Sequence, residues 1–426
     1  MYKQAVGYWD TPRHTALRIR YQLLGGLFFA VGIPLVLRML AVPEVLSSSN
    51  HQVTVTAAIV AHLAGYVLYR RLGAYPGVAA AGAILPTFAL TYGTVFLVIF
   101  FFRFDYSRFQ AAGSFVMSTM WYFGWSFFAS KLQPTCLAVV PAGDVGQVTS
   151  IGDVSWRVLT SPQRPSERIQ GVVADLRADL SGSWERFIAD CALSGIPVYH
   201  VKQIVESLTG RVAIDHLSEN TLGSLNPNQA YLTIKHALDS LIAALALVVL
   251  LPLLLVVGLL IRLDSPGPAL FCQERRGYQG KVFTIYKFRT MRVVEESGGD
   301  RLSAVTADSD HRITRLGRFL RRTRIDELPQ LLNILRGEMS WVGPRPEALS
   351  LSRWYEEKLP FYRYRHIVRP GITGWAQVNQ GHVSDVEDVR YKLHYDFYYV
   401  KNFSPWMDVI VCIKTVAVIL NGFGAK

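Results

Sequence analysis

Four long apolar runs dominate the first third of the chain. They lie at residues 21–42, 53–72, 78–102 and 113–132. Each run approaches or exceeds the ~20 residues that a helix needs to cross ~30 Å of hydrocarbon. Polar residues precede the first run and no small-residue cleavage site follows it, so it does not resemble a removable signal peptide. The pattern predicts a membrane α-helical bundle of four spans over residues 1–135.

Basic residues suggest the orientation of these spans. Several Lys and Arg residues precede residue 21, Lys131 closes the fourth run, and the loop at residues 43–52 carries no Lys or Arg. Because basic residues concentrate on the cytoplasmic side, both ends of the four-span region are expected in the cytoplasm. Arg103 and Arg108 oppose this orientation, since their loop would then face outward.

Residues 136–225 change to short β-like runs and predict a small cytoplasmic α/β domain of degenerate Rossmann-like type. The predicted strands are at residues 136–140, 156–159, 171–174 and 196–200, and the predicted helix is at residues 184–193. Residues 141–146 stand where a dinucleotide loop would be, but they lack the G-x-G-x-x-G spacing. We therefore expect a packing or assembly domain here, and no bound dinucleotide.

A fifth apolar run covers residues 237–261 and contains Asp239 and Pro252. As a straight helix it would be ~37 Å long, which is enough for a crossing. Pro252 removes one backbone hydrogen bond and can kink the helix, so that it dips into the membrane and returns with Lys235 and Arg262 at one interface. The residues alone leave both arrangements open.

Composition supports a basic membrane protein. Hydrophobic residues make up 50% and charged residues 18% of the 426 residues, and the mean hydropathy is +0.22. These values exclude a disordered chain and argue against a wholly soluble protein. The net charge of +12 favours anionic lipids or phosphorylated substrates as partners. The four cysteines stand far apart, so neither a disulfide framework nor a zinc site is predicted.

The stretch after the fifth run is rich in cations. Residues 273–324 include thirteen Lys and Arg residues against six Asp and Glu residues. Gly277 and Gly280 allow the backbone to approach a ligand closely, and Lys287 and Arg289 share one face of a predicted strand. A pair of aligned cations suits a diphosphate, although a solvated or lipid-facing patch also explains some of these charges.

Asp326 and Glu327 directly follow a cluster of arginines at residues 318–324 and precede an apolar helical stripe. One interpretation is structural, with Asp326 as the N-cap and Glu327 in the first turn of a helix. The other is chemical. Two carboxylates beside so many cations ionise fully, and they can hold Mg²⁺ or attack phosphorus to give an acyl phosphate.

Two rigid turns follow the carboxylate pair. Residues 343–346 place Arg345 between two prolines, which lowers the entropy lost when this arginine binds a phosphate. An exposed arginine in a rigid turn is the structural alternative. Residues 369–378 form a second Gly-rich turn with Arg369 and Trp375, and Trp375 is expected in the core.

Together these segments resemble the bacterial sugar transferase family, the polyprenyl-phosphate hexose-1-phosphate transferases or monotopic phosphoglycosyl transferases. The resemblance rests on the order and approximate spacing of residues 273–280, 287–291, 326–335, 343–346 and 369–378. It implies a mixed, mainly α-helical catalytic domain over residues 231–426, with a re-entrant membrane helix over residues 234–262 that is broken at Pro252. Leu251 precedes this proline, whereas some members have serine there. The spans and α/β domain before it are similar to those of the large members.

The resemblance also implies an activity. The family transfers a hexose-1-phosphate from a UDP-sugar to undecaprenyl phosphate and releases UMP, which initiates exopolysaccharide, capsule or O-antigen repeat units. Asp326 matches the nucleophile that carries the phosphosugar between two displacements, and Glu327 matches its partner, with Mg²⁺ held by both. From the residues and the resemblance, we expect the substrates to be bound by Arg275, Gly277, Lys287, Arg289, Arg321, Arg345 and Arg369.

The expected location is the bacterial inner membrane, in a multi-pass protein with a cytoplasmic catalytic domain. Inner membrane lipids are expected partners, nucleic acid is not, and a homodimer is left open, as is the identity of the sugar. Two alternatives remain. A nucleotide-sugar glycosyltransferase would release UDP instead of UMP, and a non-enzymatic basic membrane scaffold for polysaccharide assembly would be indifferent to Asp326→Asn.

Overall fold

The structure is a computed structural model that describes most of the chain in separate ranges. The described residues are 19–41, 49–72, 80–132, 136–152, 154–165, 169, 171–214, 227–292, 312–380 and 386–421. They belong to two compact units, Met1–Gly210 and Arg211–Lys426. Each unit is described by itself.

The first unit begins with helices. They are α1 (Ile19–Leu27), which continues through a π-helical turn (Phe28–Gly32) into α2 (Ile33–Ala41), then α3 (Ser49–Leu72), α4 (Ala80–Phe101) and α5 (Arg108–Leu132). Small and aromatic side chains, including Ala58, Ala61, Phe88 and Tyr122, form their common core.

Several of these helices are suited to a membrane. In the described part of the chain, four ranges are long and apolar enough to cross one, namely Ile19–Leu40, Asn50–Leu72, Ala83–Phe101 and Gln229–Asp264. The first three coincide with predicted spans. The predicted fourth span is a helix, α5, but it is not among the four, so the four-span bundle stays a prediction. Residues 42 and 78, at the ends of two predicted runs, lie outside the described residues.

After α5, the described residues of the first unit include a parallel sheet of four strands in the order β2-β1-β3-β4. Its elements are β1 (Cys136–Val139), α6 (Gly146–Thr149), β2 (Ser155–Val158), β3 (Gly171–Ala174), α7 (Gly182–Leu193), β4 (Val198–His200) and α8 (Val201–Thr209). The predicted strands and helix are therefore found, with ends shifted by no more than a few residues. Residues 215–225 of the predicted domain lie outside the described residues.

The turn after β1 is closed by a side chain of the protein. Gly143 has a φ of +74°, and a Cβ atom there would lie 2.4 Å from Asp175 Oδ2. The backbone N–H of Asp144 donates to the same oxygen over 3.1 Å. Asp175 thus holds this turn through the N–H of Asp144, in the segment where a dinucleotide loop would be.

The second unit begins with one long helix and continues with short elements. They are α9 (Gln229–Asp264), β5 (Leu270–Arg276), β6 (Val282–Phe288), α10 (Arg315–Thr323), a 3₁₀ helix (Ile325–Gln330), α11 (Leu331–Leu335), β7 (Ser340–Val342), α12 (Leu349–Lys358), a second 3₁₀ helix (Tyr362–Ile367), β8 (Gly371–Thr373), α13 (Trp375–Asn379), α14 (Val386–Lys401) and α15 (Pro405–Asn421). Strands β5 and β6 form an antiparallel hairpin, and β7 pairs with β8 in parallel. The unit is mixed and mainly helical, as predicted.

Helix α9 has 36 residues and contains Pro252 without an interruption of the helix. The predicted break at this proline is therefore not confirmed. Both ends of the helix contact the rest of the unit. Ala243 packs in a cluster with the β6 and α11 side chains, and Val257 and Ile261, beyond the proline, pack in a second cluster with Phe288.

Polar contacts fix the first turns of α9. Asp408 of α15 accepts hydrogen bonds from Lys235 Nζ and Tyr231 Oη, each over 2.6 Å. One turn later, Asp239 accepts a hydrogen bond from Ser340 Oγ over 2.5 Å. A charged residue within an apolar run is costly unless it is paired. The two acids therefore attach α9 to α15 and β7.

Candidate active site

Asp326 and Glu327 lie in the 3₁₀ helix Ile325–Gln330, and both are buried. Arg324, just before them, has a left-handed backbone with φ 59° and ψ 17°, a conformation that is uncommon for a residue with a Cβ atom. Arg324 is the N-cap, and no side-chain hydrogen bond caps the segment within the described part of the chain. The interpretation of Asp326 as an N-cap is therefore wrong.

Glu327 is surrounded by cations. Its Oε1 lies 2.9 Å from Lys287 Nζ, 3.3 Å from Arg345 Nη1 and 3.9 Å from Arg324 Nη1, and its side chain is 7% exposed. Burial acts to raise its pKa, but the charges of Lys287, Arg345 and Arg324 outweigh burial and lower the pKa to about 2. Glu327 is therefore ionised at every physiological pH.

Asp326 has the opposite environment. Its Oδ1 is buried and has no hydrogen-bond partner among the described residues. Burial, and then the charge of Glu327, raise its pKa to about 6, while Lys287, Arg324 and Arg321 act to lower it. Neighbouring carboxylates whose pKa values are pushed apart are typical of catalytic pairs. Near neutral pH, Asp326 is therefore mainly ionised.

The structure brings some of the predicted substrate-binding residues to this pair. Lys287 of β6 and Arg345 both contact Glu327. Arg321 donates from Nε to Thr290 Oγ1 over 2.9 Å, and its charge acts on Asp326. These three cations therefore belong to the surroundings of the carboxylate pair.

Other predicted residues contact backbone groups instead. Arg289 is buried and donates to the carbonyls of Ser265 and Pro266 over 2.6 and 2.9 Å. Lys287 and Arg289 therefore have different partners, although the strand pattern predicted an aligned pair. Arg369 donates from Nε to the carbonyl of Gly337 over 3.0 Å.

Arg275 and Gly277 belong to the β5–β6 hairpin. Arg275 donates to the Pro346 carbonyl over 2.8 Å and to Gln273 Oε1 over 2.6 Å. A Cβ atom on Gly277 would lie 2.7 Å from the Phe283 ring, so the close approach here is to the protein's own core. A role in substrate binding stays a prediction for all seven residues expected to have one.

The carboxylate pair fits the prediction of Mg²⁺. No group of three or more His, Cys, Asp or Glu residues able to hold a metal occurs among the described residues. Mg²⁺, however, is commonly bound by one or two carboxylates together with water and substrate phosphates. Asp326 Oδ1, which no other described residue contacts by a hydrogen bond, provides such a donor beside Glu327.

Sequence reasoning missed a set of buried charges behind this site. Arg365 and Asp396 form an ion pair of 2.8 Å with side chains that are 2% and 1% exposed. Glu347 pairs with Lys392. A charged residue within an aromatic segment, such as Asp396 in α14, was the available signal, since such residues are rarely buried without a partner.

Comparison with known proteins identifies the family. Residues 230–422 match the family described as "Bacterial sugar transferase". A "UDP-N-acetylgalactosamine-undecaprenyl-phosphate N-acetylgalactosaminephosphotransferase" from Aeromonas hydrophila is 46% identical over 375 residues, which are 88% of this chain and 88% of the relative. The chain belongs to the bacterial sugar transferase family.

Other relatives of this sugar transferase match shorter parts of it. A "UDP-glucose:undecaprenyl-phosphate glucose-1-phosphate transferase" from Xanthomonas campestris pv. campestris is 40% identical over 201 residues, 47% of this chain and 41% of the relative. A protein of the same description from Caulobacter vibrioides is 46% identical over 189 residues, 44% of this chain and 70% of the relative. The protein is thus a transferase with several membrane-type helices, and the scaffold alternative does not describe it.

Proposed function

We propose that this sugar transferase moves a sugar-1-phosphate from a UDP-sugar to undecaprenyl phosphate and releases UMP, through a phosphosugar carried by Asp326. The observation that carries the proposal is the buried Asp326 Oδ1, which has no hydrogen-bond partner among the described residues, beside a Glu327 that three cations keep ionised. Membership of the family and the names of its relatives supply the substrates.

The proposed reaction has two displacements at the same phosphorus. An Asp326 carboxylate oxygen attacks the β-phosphorus of the donor, and the bond from this phosphorus to the bridging oxygen breaks, so that UMP leaves with the bonding electrons. A phosphate oxygen of undecaprenyl phosphate then attacks the same phosphorus. The bond to Asp326 breaks, which yields the lipid diphosphate sugar and restores the carboxylate.

The cations of the site favour the first step. A carboxylate and a diphosphate repel each other, and repulsion is strong in a poorly solvated site. Lys287, Arg345 and Arg324 surround Glu327, and Arg321 acts on Asp326. Their positive charge offsets the negative charge of the donor diphosphate. It also stabilises the negative charge that develops on the leaving UMP. When Mg²⁺ is bound by Asp326 and Glu327, it supplies further neutralisation of the phosphate oxygens.

The donor we propose is UDP-N-acetylgalactosamine. The Aeromonas hydrophila relative that bears this specificity in its name matches 88% of this chain, whereas the relatives named for glucose cited above match 47% and 44% of it. The N-acetylgalactosamine phosphate attached to the lipid would begin a repeat unit of a surface polysaccharide.

We further propose that α9, as a continuous helix bent at Pro252, dips into the cytoplasmic face of the inner membrane and returns. The packing of α9 supports this, because Ala243 before Pro252 and Ile261 after it both contact the globular part of the same unit. A helix that crosses a membrane has its two ends on opposite sides, so one globular domain cannot easily contact both. The re-entrant arrangement would keep Asp326 where a soluble donor and the head of a lipid acceptor can both reach it.

The covalent step can be tested by intact-protein mass spectrometry. Purified protein is mixed with Mg²⁺ and, separately, with UDP-N-acetylgalactosamine, UDP-glucose or UDP-galactose, without lipid acceptor. We expect the protein mass to rise by one N-acetylhexosamine phosphate, and we expect one equivalent of UMP to be released into solution. The adduct should be absent in Asp326→Asn and present in Glu357→Gln, a control at an exposed carboxylate of the same unit.

The other outcomes refute defined parts of the proposal. An adduct only with another donor would change the sugar and keep the mechanism. Lipid-linked product without any adduct would mean direct transfer and would leave Asp326 as a metal ligand. Release of UDP would indicate a glycosyltransferase instead.

A further inference from the structure

The loop that carries Arg345 is held by its carbonyl groups. The carbonyl of Pro344 accepts from the N–H of Gly371 over 3.1 Å, and that of Arg345 accepts from Arg365 Nη2 over 2.9 Å. The next carbonyl, of Pro346, accepts from Arg275 Nη1 over 2.8 Å. Prolines have no N–H, so the carbonyls are the main polar groups by which this loop can be fixed.

Arg365 is itself held in a fixed orientation. Its Nε and Nη2 lie 3.0 and 2.8 Å from Asp396 Oδ2, and its Nη1 donates to Tyr362 Oη over 2.6 Å. Its side chain is 2% exposed. One planar guanidinium therefore joins α14, the 3₁₀ helix Tyr362–Ile367 and the backbone of Arg345.

Stability alone does not explain this ion pair. Removing two charges from water costs several kcal/mol per ion, and well-packed apolar residues of similar volume are often equally stabilising. An apolar pair, however, has no N–H to direct at the Arg345 carbonyl. The guanidinium of Arg365 fixes the orientation of the Arg345 backbone. Arg345 requires a fixed orientation because its side chain must point at Glu327.

We infer that Arg365, oriented by Asp396, is a positioning residue for the reaction, because it holds the backbone of Arg345 so that the Arg345 side chain meets Glu327. The inference rests on the proposed function, in which Arg345 acts at the phosphate site. Arg365 itself is buried behind the loop and meets Arg345 through its backbone carbonyl, away from the guanidinium that contacts Glu327.

A double-mutant cycle separates positioning from general stabilisation. Release of the nucleotide is followed at varied donor concentration for wild type, Arg365→Lys, Arg345→Ala and the double variant. Lysine keeps a charge beside Asp396 but cannot reach Asp396, Tyr362 and the carbonyl together. We expect Arg365→Lys to lower kcat/KM by about 10- to 100-fold, the loss associated with a displacement of ~1 Å at a catalytic site.

The decisive comparison is the effect of Arg365→Lys when Arg345 is already absent. If Arg365 acts through Arg345, the further loss in the Arg345→Ala background is less than about twofold. Asp396→Asn should repeat this result, and it provides a second variant if Arg365→Lys does not fold. Arg363→Lys is the control, because the Arg363 side chain is 76% exposed, and it should leave kcat/KM unchanged in both backgrounds.

Two results would overturn the inference. Equal losses in both backgrounds would show that Arg365 only stabilises the fold, and an unchanged kcat/KM in Arg365→Lys would show that the loop does not depend on it. The cycle is read on whichever nucleotide the wild type releases. Release of UDP by the wild type would therefore refute the proposed function while the test of Arg365 still stands.

Discussion

Replacement of Gly343 by alanine should lower kcat/KM, although Gly343 itself contacts neither Asp326 nor Glu327 among the contacts described above. Gly343 begins the loop of Arg345, and its N–H donates to the carbonyl of Thr373 over 2.9 Å. A Cβ atom at Gly343 would lie 2.2 Å from the carbonyl oxygen of Arg369 and 2.9 Å from the nitrogen of Gly371. These are backbone atoms, so no side chain can rotate away.

The size of the effect follows from this contact. Cβ atoms essentially never come closer than 3.0 Å to another heavy atom, so the loop and the β8 segment must separate by about 0.8 Å. Arg345 is two residues from the substituted position, and its side chain reaches Glu327 over 3.3 Å. Displacement of a catalytic group by ~1 Å can cost about 10²-fold in rate, and we expect kcat/KM for Gly343→Ala to fall by about that factor.

The assay is UMP release at varied donor concentration, with rates referred to the protein that elutes as folded in size-exclusion chromatography. Gly258→Ala is the matched control, because its Cβ would lie 3.9 Å from Ala269 and Phe288, an ordinary contact. It should retain wild-type kinetics. Gly343→Ala with kcat/KM within twofold of wild type would refute the idea that this close approach positions Arg345.

Two further predictions concern the carboxylate pair. In metal-free protein, the infrared carbonyl band of protonated Asp326 is identified by subtraction of the Asp326→Asn spectrum. This band should be present at low pH and lost as the pH rises through about 6, because burial and then the charge of Glu327 raise the pKa of Asp326. A midpoint of about 4, the usual pKa of Asp, would contradict this expectation. Lys287→Met should lower kcat/KM by about 10- to 100-fold, since it removes a charged hydrogen bond of 2.9 Å to buried Glu327. Lys281→Met, at an exposed position of the same hairpin, should leave kcat/KM unchanged. Equal effects of the two substitutions on kcat/KM would argue against a role for the contact between Lys287 and Glu327.

Local patterns in the sequence predicted much of this protein. Apolar runs located the membrane-type helices, short β-like runs located the strands of the α/β part, and the spacing of five segments indicated the family that the comparisons confirm. These features depend on neighbouring residues, whose periodicity is set by helix and strand geometry. The same patterns left the course of α9 open, because length and hydropathy do not report which side of a membrane each end contacts.

The sequence by itself also singled out Asp326 and Glu327, but only the tertiary structure separated their environments. It placed Lys287 and Arg345 on Glu327 and left an oxygen of Asp326 without a partner among the described residues. It also directed Arg275, Arg289 and Arg365 to backbone carbonyls. Every residue has a backbone carbonyl, so no pattern of side chains in the sequence indicates to which carbonyl an arginine will donate a hydrogen bond. That choice depends on contacts between residues far apart in the chain, and these exist only once the chain has folded.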